Sequence, residues 1–169
     1  MTKMPVMPII RSMTRRIFPN PDPCTGCFNC MMACAQHRTG GADPAEAGIR
    51  VDLDPFSGIH GISICRQCDR ARCAETCPRN AITRSTGTGA WTIDRSLCIA
   101  CGACIDACPF QAMFRHPVSG RPVKCDLCGG DDPACVRACH FGVLHPAESL
   151  RIVPRGIPAE DLDPGLGRE

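Results

Sequence analysis

The sequence has no tyrosine, one tryptophan and six phenylalanines in 169 residues, so aromatic side chains make up only 4% of it. These are the largest fillers of an ordinary core, and their scarcity implies that something other than side chains occupies the interior. Long apolar runs are also missing. No window approaches the roughly 18 consecutive apolar residues of a membrane span, so no direct span is expected. There is no Walker motif, no G-x-G-x-x-G after a strand and no zinc-protease helix, so no chemistry of the chain's own is legible.

What the sequence has instead is 16 cysteines, with 16 prolines and 16 glycines. Proline and glycine at that density favour loops and turns and argue against an all-helical bundle. Cysteine at close to one residue in ten signals either the disulfide framework of a small secreted protein or a metal framework in a reducing compartment. The start of the chain favours the second. Val6 to Ile10 is its only apolar run, and Pro8 breaks it. Thr14-Arg15-Arg16-Ile17-Phe18 looks like a twin-arginine export signal, but prolines 19, 21 and 23 follow where an apolar segment is needed. A cytoplasmic location is therefore expected.

The cysteines fall into four groups of four. They are Cys24-x2-Cys27-x2-Cys30-x3-Cys34, Cys65-x2-Cys68-x4-Cys73-x3-Cys77-Pro78, Cys98-x2-Cys101-x2-Cys104-x3-Cys108-Pro109 and Cys125-x2-Cys128-x6-Cys135-x3-Cys139-His140. Within each, three thiolates in a tight loop can wrap three irons of a cubane. The fourth, three residues on, points elsewhere. Structural zinc consumes cysteines two and two, which fits a triple plus one poorly. The reading is four 4Fe–4S clusters.

Residues Ala81-Ile82, Gly89, Ile93-Asp94, Cys98-Ile99-Ala100-Cys101-Gly102 and Ala107-Cys108-Pro109 resemble the linker and cluster loops of two-cluster bacterial ferredoxins. The whole span from Cys24 to Cys139 resembles the four-cluster electron-transfer subunits that accompany dimethyl sulfoxide reductase, formate hydrogenlyase and CO dehydrogenase systems. Its short fourth group is similar to the compact forms, including small subunits of tungsten aldehyde oxidoreductases. The resemblance implies an α+β fold of two interlocked bacterial-ferredoxin-like modules, with short hairpins and short helices around the clusters. It also implies the ligation. Cluster 1 takes Cys24, Cys27, Cys30 and Cys139; cluster 2 takes Cys34, Cys125, Cys128 and Cys135. Cluster 3 takes Cys65, Cys68, Cys73 and Cys108; cluster 4 takes Cys77, Cys98, Cys101 and Cys104. His140, standing where the second and third groups have Pro78 and Pro109, departs from the pattern.

The expected organisation is a basic extended arm over residues 1–23, a four-cluster domain over 24–145 and an acidic-tailed extension over 146–169. Hairpins are expected at 81–84 with 91–94, at 112–115 with 122–123, and at 49–53 with 58–64. Short helices are expected at about 31–37, 106–108 and 136–139. The arms read as loose tails, as clasps for a partner, or as head-to-tail contacts between copies, the last suggested by their opposite charges. Arg66, Arg70, Arg72 and Arg79 read as solvated arginines or as a fringe that stabilises cluster charge. His37, His60, His116, His140 and His145 are not needed as ligands. Four oxidised clusters with their thiolates carry about −2 each. They turn the formal charge of +2 into about −6, against nucleic-acid binding.

The implied function is a non-catalytic subunit that relays electrons between a large catalytic redox subunit and a second donor or acceptor. A tungsten or molybdenum enzyme is the favoured catalytic partner, with hydrogenase and CO dehydrogenase behind it. The alternatives are a freely diffusing polyferredoxin and a structural metal-binding scaffold.

Overall fold

The computed structural model describes residues 16–58 and 60–147. The expectations for residues 1–15 and 148–169, including self-association through the arms, lie outside the described residues. Residues 16–23, read from the sequence as the end of the basic arm, contribute a strand and a loop to the fold.

The architecture is a mixture of short helices and two-stranded hairpin sheets. Strand β1 (Arg16–Pro19) leads through the first cysteine loop into helix α1 (Asn29–Thr39). After a short 3₁₀ turn at Pro44–Glu46 come β2 (Ile49–Asp52) and β3 (Gly61–Ile64). Helix α2 (Arg72–Glu75) follows, then β4 (Ile82–Arg84) and β5 (Trp91–Ile93). Helix α3 (Ala103–Asp106) precedes β6 (Phe114–Arg115) and β7 (Pro122–Val123). A 3₁₀ turn at Leu127–Gly130, helix α4 (Ala134–Arg137) and β8 (Leu144–Ala147) complete the described chain.

Local chemistry accounts for most of these elements. Helix α1 buries Met31, Cys34 and Ala35, the i, i+3, i+4 stripe of a helix with one face inward. It stops at Gly40, whose φ of 75° lets its amide close on the Gln36 carbonyl at 2.8 Å. In β2 and β3, Ile49 stands opposite Ile64, both buried. The β4–β5 and β6–β7 hairpins share one turn. Ser85 donates to the Ala90 carbonyl and Gly89 to Ser85; His116 donates to Arg121 and Gly120 to His116. The glycines carry φ of 68° and 66°, which other residues adopt at a cost.

Long-range pairing then assembles the pieces. β1 lies antiparallel to β8, with Ile17 opposite Pro146 and Phe18 opposite His145, and α1 packs on α4. Between them in sequence, α2 packs on α3. The main core joins Ile17, Met31, Ala35, Ile49, Val51, Ile64, Leu127, Val143 and Leu144 with buried cysteines. A second core holds only Ile82, Met113 and Cys104 as fully buried members. Both are aliphatic and sulfur-rich, as the missing aromatics require.

Helix α1 spans the expected 31–37, whereas α3 and α4 sit two to three residues earlier than expected. All four helices carry the third cysteine of their group, Cys30, Cys73, Cys104 and Cys135; α1 alone continues through and past the fourth, Cys34, and α2 was not anticipated. The reason is a competing acceptor. Past the fourth cysteine, Asn80, Gln111 and Gly142 turn left-handed at φ of 49°, 48° and 62°. The next amide is then donated to the cysteine sulfur rather than to a helical carbonyl.

Candidate iron–sulfur sites

Three cavities are each lined by one quartet of cysteines. The first is bounded by Cys24, Cys27, Cys30 and Cys139, the second by Cys65, Cys68, Cys73 and Cys108, and the third by Cys77, Cys98, Cys101 and Cys104. Each joins three thiols from one loop to a fourth from a distant group. Cys34, Cys125, Cys128 and Cys135 are the remaining four, and all are buried. Cys34, Cys125 and Cys128 each raise the Cys135 thiol by their charge, beyond the larger effect of burial, which puts these sulfurs near one another. None of the sixteen cysteines is in a disulfide.

The backbone around each quartet is shaped for an anion. The residue before the second cysteine of every group is left-handed: Gly26, Gln67, Ala100 and Leu127 have φ of 68°, 49°, 58° and 58°. Alternating right- and left-handed residues turn successive amides into one concavity, the arrangement that receives phosphates and iron–sulfur clusters. Every fourth cysteine also accepts an amide on its sulfur. Ala81 donates to Cys77 at 3.3 Å, Ala112 to Cys108 at 3.4 Å and Val143 to Cys139 at 3.3 Å, each from four residues on. In the first group α1 runs through that position, and Gly48 supplies the amide to Cys34 at 3.3 Å instead.

Without a cation these pockets are unfavourable for thiolates. Burial pushes the Cys125 thiol up to about 12 and the Cys30 and Cys104 thiols up to about 11; neighbouring thiols add to the rise. Backbone amides at Leu127 and Met31 oppose it. Bound iron would supply the missing positive charge, and the inward amides would then serve the sulfurs. The residues present therefore fit cubane clusters: quartets of thiols around cavities, with amides aimed at sulfur. Among the described residues, no group of three or more His, Cys, Asp or Glu side chains is placed to hold a single metal ion.

Residues 60–148, more than half of the chain, match the 4Fe-4S dicluster domain family. The chain belongs to that family. It is 40% identical over 120 residues to the polyferredoxin-like subunit of an aliphatic sulfonate oxidoreductase from Pyrococcus furiosus, covering 71% of this chain and 68% of that protein. It is 34% identical over 150 residues to the beta subunit of an NADH-dependent phenylglyoxylate dehydrogenase from Aromatoleum evansii, covering 87% of this chain and 33% of that one. Among solved structures, the active site complex BamBC of benzoyl coenzyme A reductase with benzoyl-CoA aligns with 79% of this chain and 78% of its own, at 26% identity and a TM-score of 0.49. This dicluster-family chain thus spans about two thirds of the first relative and one third of the second. No helix among the described residues is long and apolar enough to cross a membrane.

Arg66, Arg70 and Arg72 line the Cys65 cavity and Arg79 the Cys77 cavity, while Arg70 also pairs with Glu75 at 2.9 Å. No histidine lines any of the three cysteine cavities. His60 accepts the Asp54 amide, and His116 accepts two amides of its own turn while facing Glu46 at 3.2 Å. Sequence reasoning passed over Gly48, Gln67 and Lys124. The signal for the last two was available: each is the polar exception at a repeated position that is apolar or glycine in the other groups.

Proposed function

We propose that this chain is the electron-transfer subunit of a multi-subunit oxidoreductase, relaying single electrons through four 4Fe–4S clusters held by the sixteen cysteines in the crossed quartets. A cubane with every iron bound by thiolate exchanges one electron and leaves no iron open to a substrate. That agrees with a non-catalytic role.

One observation carries the reading: three cavities are each lined by a quartet of cysteines drawn from two distant groups, and successive quartets are close enough for their thiols to raise one another. Cys30 of the first raises the Cys135 thiol of the second, Cys65 of the third raises Cys125 of the second, and Cys73 of the third raises Cys104 of the fourth. The only exposed cysteines, Cys27 and Cys101, belong to the first and last quartets. This supports a path whose first and last members reach the surface, with the second quartet buried throughout and the third partly buried. The packing of α1 on α4 and of α2 on α3 supports two modules, the outer bracketing the inner.

The catalytic partner is proposed to be a tungsten or molybdenum oxidoreductase. The similarity to subunits of a sulfonate oxidoreductase and a phenylglyoxylate dehydrogenase supports an oxidoreductase partner in general. Anaerobic purification of the tagged chain from its own organism, with metal analysis and mass spectrometry, tests the proposal. About sixteen irons per chain with a stoichiometric larger subunit containing tungsten or molybdenum is the expected result. Zinc in place of iron refutes electron transfer, and an iron-loaded chain recovered alone favours a diffusing carrier.

A further inference from the structure

The fourfold repeat makes its own exceptions visible. The residue before the first cysteine is Pro23, Ile64 and Leu97 in three groups and Lys124 in the fourth. The residue before the second cysteine is Gly26, Ala100 and Leu127 in three groups and Gln67 in the second. The fold brings these two exceptions to one atom. Gln67 Nε2 donates to the Cys125 carbonyl at 2.9 Å, and Lys124 Nζ donates to the same carbonyl at 2.8 Å. Trp91 closes the ring: its amide donates to Gln67 Oε1 at 2.9 Å and its carbonyl accepts from Lys124 Nζ, while its indole N–H holds the Cys68 carbonyl at 2.8 Å. The network thus ties the loop of the second cysteine group to that of the fourth.

Lys124 is 2% exposed and Gln67 0%; they are the only buried polar or charged residues among those described. No carboxylate among the described residues forms an ion pair with Lys124, whose hydrogen bonds go to carbonyls. A buried ammonium without a counter-charge is costly. The cysteines of two quartets are the candidates to supply it once they hold clusters. The charge of Lys124 reaches Cys73 in the third quartet and Cys125 in the second, lowering both thiols against the burial that raises them. Two iron–sulfur clusters at about −2 each would neutralise it with excess.

We propose that Lys124, held in place by Gln67 and Trp91, is a positioning residue that raises the reduction potentials of the two middle clusters. This inference rests on the electron-transfer reading. Each reduction adds one electron and one negative charge to a cluster and needs no proton from Lys124. A fixed cation beside two of the four sites favours that change there and not at the ends. The middle of the path then becomes the part that holds electrons, and the hop between quartets is bridged by a shared hydrogen-bonded carbonyl.

The test is an EPR-monitored redox titration of the anaerobically purified full chain, with iron counted in every sample. Lys124→Met should retain its iron and shift two of four one-electron steps to lower potential, by about tenfold in the reduced-to-oxidised ratio, or about 59 mV, leaving the other two in place. Lys124→Arg should restore both steps toward the native values. If Lys124→Met fails to load iron, Lys124→Gln, which keeps a donor and removes the charge, is titrated against Lys124→Arg. Unmoved potentials with full iron, or equal shifts at all four sites, overturn the inference. A native chain without four one-electron steps overturns the electron-transfer reading itself.

Discussion

The guanidinium of Arg38 and the carboxylate of Asp126 meet at 2.8 Å across 88 residues of sequence. The same guanidinium donates to the carbonyls of Glu46 at 2.9 Å and Lys124 at 3.1 Å. The other oxygen of Asp126 caps the turn that presents Cys128, accepting its amide at 3.2 Å. One side chain at the end of α1 therefore fastens the first cysteine group to the fourth. Arg38→Ala should destabilise the holoprotein by about 1.5–3 kcal/mol, the range for hydrogen bonds to charged groups. Arg38→Lys should recover only part, because an ammonium lacks the planar fork. Thermal unfolding with parallel iron analysis checks both.

Gly48 has no room for a side chain. A Cβ there would lie 2.7 Å from the Cys125 amide nitrogen and 2.8 Å from its Cα, and neither backbone atom can step aside. Gly48→Ala should cost about 1–3 kcal/mol or more and displace the amide that serves Cys34. The expected sign is selective loss of one cluster, read as about twelve irons per chain instead of about sixteen with three EPR signals preserved.

Cys139→Ala should empty the cluster held by Cys24, Cys27 and Cys30, with which Cys139 shares a cavity, and spare the one held by Cys34, Cys125, Cys128 and Cys135. Site-resolved spectroscopy decides. Loss at the second quartet instead would refute the crossed ligation.

Truncation separates the arm from the strand. Removing residues 1–15 leaves β1 in place and serves as the reference. Removing residues 1–20 takes away β1, its ladder with β8 and the 2.7 Å bond from Asn20 to the Val143 carbonyl. It also removes Ile17, 2% exposed, whose burial contributes about 1.5–3 kcal/mol. Calorimetry of the two truncated proteins should therefore differ, with the longer deletion melting at a lower temperature.

Removing iron should unfold the inner half first. Ile82 and Met113 are the fully buried apolar side chains of its core apart from Cys104, worth about 1.5–3 kcal/mol each. Ordering each residue costs about 1–2 kcal/mol in backbone entropy alone. Amide exchange after chelation should show protection lost across residues 65–113 before it is lost in β2 and β3, where Ile49 and Ile64 stay packed.

The local parts of this protein were legible from residues alone. Cysteines separated by two or three residues make a cluster-binding loop legible, and the glycine turns of the β4–β5 and β6–β7 hairpins were equally readable. So was α1, whereas α2 and the bounds of α3 and α4 were not. Sequence periodicity cannot register that a cysteine sulfur will take the amides of Ala81, Ala112 and Val143 from a helix.

The sequence by itself determined the cofactor class, the sixteen thiols and the hairpins, all of which depend on neighbours a few residues away. Only the tertiary structure decided that β1 joins β8, that Gly48 serves Cys34, that Cys27 and Cys101 are the exposed cysteines, and that Lys124 meets Gln67 at one carbonyl. Those relations join segments tens of residues apart. They follow from how the packed core and its buried charges are shared, which spacing along the chain does not encode.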